Sequence, residues 1–118
     1  MAKDDYFVLV YKLLGYLYKC LRKEERPSLE IISPNTKDFP ISEEYFTYML
    51  DHLLSDGYIE GLARVNRIGN APKFKETTGI QITPKGIEYL QENSTMKKVA
   101  ELLGNAGEIV TGIIGLLK

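Results

Sequence analysis

Cysteine and histidine occur once each in this chain, as Cys20 and His52, and that scarcity removes several chemistries together. A single cysteine cannot close an internal disulfide, and it suits a reducing compartment. A thiol nucleophile with its base would require these two residues to meet, and no Cys or His cluster has the spacing of metal ligands. The glycines at 57, 61, 69, 79 and 86 form no phosphate-binding fingerprint followed by a helix. The chain is therefore expected to be non-enzymatic, with no cofactor and no metal. Net charge is nearly absent too: 15 basic against 16 acidic residues leave -1. Any electrostatic attraction to nucleic acid or anionic lipid must then come from a local patch. No apolar run approaches the ~20 residues that span a bilayer. Asp4, Asp5, Lys12 and Lys19, with no small-residue cleavage site, speak against a signal peptide. The expectation is a soluble cytoplasmic protein with no membrane partner.

What is present suits one domain, with 118 residues of which 44% are apolar and 26% charged. Residues 4–24 have helical periodicity, with acids at the start and bases at the end as the helix dipole favours. Their polar stripe is narrow. Asp5, Lys12 and Lys19 recur every seven residues, while Phe7 to Val10, Leu13, Leu14, Leu17, Cys20 and Leu21 occupy most of the remaining circumference. Such a helix needs cover on more than one side, from a second element or from a second chain in a homodimer. Pro27, Pro34 and Pro40 then forbid a long helix, "LEII" offers at most a short strand, and only a turn or two of helix fits between Pro34 and Pro40.

Order returns at "ISEEYFTYMLDHLLSDG". Ser42 is a good N-cap, Glu43 and Glu44 fall in the first turn, and Gly57 is a stop signal. Phe46, Met49, Leu50, Leu53 and Leu54 follow the spacing of a buried face, leaving Tyr48, Asp51 and His52 among the residues outside. Residues 58–82 are β-branched, aromatic and punctuated by glycine, and predict a hairpin with strands near 58–65 and 74–82 around a turn at "GNAP". At "ITPKGIEYL" the period changes from strand to helix. Thr83 can cap a helix whose first position accepts Pro84, which lacks an N–H that would have gone unused. Phe46, Leu50, Leu53, Ile59, Ile80, Ile82 and Leu90 are the predicted shared core. A last amphipathic helix runs from residue 94 to the C-terminus, with four glycines that leave it weak unless its apolar face is covered. Its charge of +1 from Lys97, Lys98, Glu101, Glu108 and Lys118 lacks the basic face of a membrane anchor, so packing on the first helix or on a partner chain is expected.

Helix, irregular segment, helix, hairpin, helix is the order of a winged helix. "DYFVLVYKLLGYLYKCL", "ISEEYFTYMLDHLLSDGYIEG" and "GIQITPKGIEYLQENSTMKK", in that order, resemble the YjcQ-like family of small proteins from Gram-positive bacteria and their phages and prophages. The resemblance implies an α+β winged helix-turn-helix over residues 1–93, with a three-helix core and a small antiparallel wing, followed by a C-terminal helix at 94–118. By analogy of fold it also implies a DNA-associated regulatory role.

The charges divide between two elements. Residues 42–56, the nominal recognition helix, carry Glu43, Glu44, Asp51 and Asp56 with no lysine or arginine, a formal -4 where phosphate contacts would be needed. The wing, residues 62–78, carries Arg64, Arg67, Lys73 and Lys75 against Glu76, a formal +3. Two binding functions follow as expectations. In the first, the wing lies along duplex DNA through Arg64, Arg67, Lys73 and Lys75, although the same lysines serve equally to protect an exposed sheet edge. In the second, Tyr48, Asp51 and His52 contact a protein partner and no DNA is bound.

Overall fold

The computed structural model describes residues 5–65 and 73–106. It is an α+β fold of four helices and one antiparallel hairpin, in the order α1 (Tyr6–Lys23), α2 (Glu43–Ser55), β1 (Ile59–Val65), β2 (Lys73–Ile82), α3 (Pro84–Glu92) and α4 (Ser94–Ala106). Each helix starts where its capping chemistry places it. The Asp5 carboxylate accepts from the Phe7 N–H, Ser42 Oγ from Tyr45, and Thr83 Oγ1 from Gly86, with Pro84 in the first turn. α1 ends at Glu24, which takes the left-handed conformation and returns its N–H to the carbonyls of Cys20 and Leu21. α2 stops at Gly57, whose φ of 81° turns the chain into β1.

α1 is the hub, packing against β2, α3 and α4. Eleven of its residues, from Val8 to Cys20, are buried, so most of the apolar arc is covered within one chain, while Phe7 and Leu21 at its two ends stay exposed. The expected polar stripe is also inside: Lys12 is 1% exposed and Lys19 6%. The cause at Lys12 is the segment after α1. It folds back as turns over the helix and presents the Asp38 carbonyl, to which the Lys12 ammonium donates at 2.8 Å, so a long apolar stem is buried while its charged end keeps a partner.

That segment forms no helix, and "LEII" forms a turn where a short strand was the most expected, with Ile31 and Ile32 both donating to the Ser28 carbonyl. Thr36 closes the next turn, donating to the Ser33 carbonyl and accepting from the Phe39 N–H. Phe39 is thereby driven into the core, edge-on to Phe46 at 5.5 Å. Six of the seven predicted core residues are buried, and Leu90 is half-buried at the rim of α3. In α4 the buried positions are Met96, Val99 and Leu103, and the helix lies against α1 and α3. The predicted continuation to the C-terminus, from residue 107, and the turn at 69–72 fall outside the described residues.

The hairpin contains a break in register. Glu60 faces Gln81 and Leu62 faces Glu76, so two steps along β1 meet five along β2. Gly61 and Gly79 adopt φ of 90° and 94° there, and a Cβ on Gly61 would lie 2.0 Å from the Gly79 carbonyl oxygen. Glu76 closes the bulge by accepting the Ile80 N–H at 3.0 Å.

Candidate binding surface

α2 buries Phe46, Met49, Leu50 and Leu53 and so presents the opposite side outward. On that side Glu44, Tyr48, His52 and Asp56 are exposed and recur every fourth residue, each set about 40° further round the helix than the last, so that they wind across the face as a strip. Tyr48 is 56% exposed. Its ring meets His52 at 4.4 Å and the ring of Tyr6, from the first turn of α1, at 6.1 Å. Tyr6 in turn meets Phe7, itself 42% exposed, edge-on at 5.3 Å. Burial pushes the Tyr6 phenol up to about 12, with smaller contributions from Tyr48, Tyr89, Asp56 and Tyr45. Those neighbours tie the α2 face to α3, where Tyr89 stacks on Tyr58 at 4.3 Å. Burial also raises Tyr89, with Tyr58 and Asp56 adding to the effect. Lys85 bounds the strip, its ammonium 5.5 Å from the Tyr58 ring and donating to the Asp56 carbonyl at 2.8 Å. The result is a ribbon of aromatic side chains from α1, α2, α3 and the turn before β1, with carboxylates along it. Tyrosine is the residue most suited to such a place, giving a large rigid contact area with a polar tip.

Tyr48 and His52 are thus brought together as the sequence suggested. Asp51 is not part of the ribbon; it forms an ion pair at 3.2 Å with Arg64 of β1. The expected basic cluster on the wing is divided. In the hairpin Arg64 stands opposite Phe74 and Lys75 opposite Ala63, so strand alternation sends Arg64 and Lys75 to opposite faces. Lys75 is exposed. Arg67 lies outside the described residues, and of Lys73, which opens β2, only the backbone is described. Tyr6, Phe7, Tyr58 and Tyr89 were not anticipated as site residues. The eight tyrosines were a signal, but helical periodicity assigns Phe7 to the apolar arc, and the meeting of Tyr6 with Tyr48 joins residues far apart in the chain.

Cys20 is buried in α1, and burial pushes its thiol up, partly offset by the Tyr16 hydroxyl. A buried thiol held in its neutral form is a poor nucleophile. Among the described residues no group of three His, Cys, Asp or Glu side chains could hold a metal ion, and no helix is long and apolar enough to cross a membrane.

A small α+β protein with a capped acidic helix running into a bulged hairpin is the class that these features define. The YjcQ protein family matches residues 11–108, and the chain belongs to that family. No curated protein matches it, and no solved structure does.

Proposed function

We propose that the chain is a non-enzymatic cytoplasmic binding protein on a winged-helix scaffold, of the phage or prophage type that the resemblance suggested, and that it docks a protein through the aromatic face of α2. The observation that carries this reading is the Asp51–Arg64 pair beside an exposed Tyr48 and His52. In a winged helix, α2 is the element that would enter a DNA groove, and here it offers carboxylates and rings. The same helix holds one of the wing's cations, so that positive charge is already answered within the protein. An exposed tyrosine on a rigid helix, flanked by half-buried rings, is what protein interfaces concentrate.

Duplex DNA along the wing is the second reading, favoured by the exposed Lys75 and by an Arg64 side chain that keeps 46% exposure within its ion pair. A photo-crosslinking amino acid placed at position 48 in one version of the chain and at position 75 in another separates the two inside cells. The docking reading expects discrete protein adducts from position 48 and no nucleic-acid adducts from position 75. DNA adducts from position 75, with none of protein from position 48, would reverse the order of the two readings.

A further inference from the structure

The column on α2 has a definite composition and length. Glu44 and Asp56 stand at its ends and Tyr48 and His52 between them, over ~18 Å along the axis at 1.5 Å per residue and about a third of the way round the helix. Tyr6 and Phe7 widen the middle, and Tyr89, near enough to raise the Tyr6 phenol, adds the stacked Tyr58 ring. We infer that this strip takes a cationic segment of a partner protein, with two Arg or Lys side chains bracketing an apolar or aromatic centre. The inference rests on the docking reading above and specifies the chemistry of what docks.

Three physical arguments select this occupant. An apolar partner would cover Glu44 and Asp56 without replacing their water, and a carboxylate desolvated without a partner is costly. A cation meets Glu44 directly and shares the Asp56 end with Lys85, whose ammonium is engaged by the Asp56 carbonyl at 2.8 Å, and its stem or guanidinium plane can lie over the Tyr48 ring, which is attractive to positive charge. A second copy of the chain fails for a different reason. A two-fold dimer through this strip would set the patch against itself, acids facing acids. DNA fails on the same sign of charge. The length then fixes the spacing: at ~3.3 Å per residue an extended partner segment reaches both ends when its cations are about five or six residues apart.

The test is selection of a displayed random peptide library on the full-length chain, followed by affinity measurements on the recovered peptides. Peptides that need Tyr48 should be enriched in Arg and Lys and depleted in Asp and Glu, with cations at about the stated spacing. Tyr48→Ala should weaken them about tenfold or more, whereas Tyr48→Phe, which keeps the ring, should hold affinity within about threefold. Glu44→Lys should weaken them several-fold with the fold unchanged by circular dichroism. Recovered peptides that depend on Tyr48 but are neutral or acidic would overturn the inference while leaving α2 as the docking face. Failure to recover any peptide that depends on Tyr48 would remove both.

Discussion

Replacing Lys12 with methionine keeps most of the stem that fills the space between α1 and the loop above it, and deletes the donor. The Asp38 carbonyl then loses the ammonium that reaches it at 2.8 Å. Breaking one side of a buried, charge-assisted hydrogen bond leaves the other side dry and unmatched, so Lys12→Met is expected to cost roughly 1–3 kcal/mol. Urea denaturation of the two proteins would measure it, and an unchanged midpoint would mean that the bond contributes nothing net. Tyr6 gives a second expectation at this scale. Its phenol, raised to about 12 by burial, favours the protonated form in the folded state. Its contribution to stability is therefore complete below pH ~10 and is lost as pH rises from there through about 12. Following phenolate absorbance against pH should show a last step in the wild-type protein that Tyr6→Phe abolishes.

Among the elements, the hairpin is the most sensitive to one methyl group. Gly61 combines a φ of 90° with a Cβ position 2.0 Å from backbone, whereas Gly79 has a similar φ but its nearest neighbours are side-chain atoms at 3.9 and 4.0 Å. Gly79→Ala should cost roughly 1–3 kcal/mol from the backbone conformation alone. Gly61→Ala should cost clearly more, because relief requires the strands to separate. Thermal unfolding of both variants ranks them, and equal costs would show that the clash relaxes freely. None of this could be read from the chain. Glycine in a strand suggests a bulge, but nothing local says that two steps along β1 will meet five along β2. The capped starts at Ser42 and Thr83 were legible because each depends on a few consecutive residues, whereas Asp5, which caps α1, reads in the sequence as part of that helix's polar stripe. The polar stripe of α1 misled for the opposite reason, since only a distant loop decides whether Lys12 meets water or a carbonyl. The candidate surface divides along the same line. Tyr48 and His52 share a helix face and were visible, whereas Tyr6 and Tyr89 join them only through tertiary packing.

For the whole molecule, the two charge-bearing elements form one electrostatic unit joined by Asp51 and Arg64. Both side chains are partly exposed, so the pair itself adds less than ~1 kcal/mol, and Asp51→Asn should barely shift the unfolding midpoint. Its effect on binding discriminates between the two readings. If the wing lies along DNA, freeing Arg64 should raise affinity for a mixed duplex at low salt and steepen its decline with added salt by about one unit of log–log slope. The docking reading expects no measurable duplex binding in either protein by fluorescence anisotropy. The motive for a homodimer through the terminal helices narrows to the two ends of α1, where Phe7 and Leu21 stay exposed while the residues between them are mostly buried within the chain.

That cover arrives late. Beyond the turns that follow it, much of what packs on α1 comes from β2, α3 and α4, fifty or more positions past its end, while the first helix leaves the ribosome with apolar side chains around most of its circumference. At roughly 5–20 residues per second the wait lasts on the order of several seconds. Throughout that interval, the best-buried element of the finished protein is the most adhesive part of the nascent one. α1 should therefore be the segment that trigger-type holding factors grip during synthesis, and a polar substitution at Leu13 or Leu17 would relieve that burden at the expense of the core.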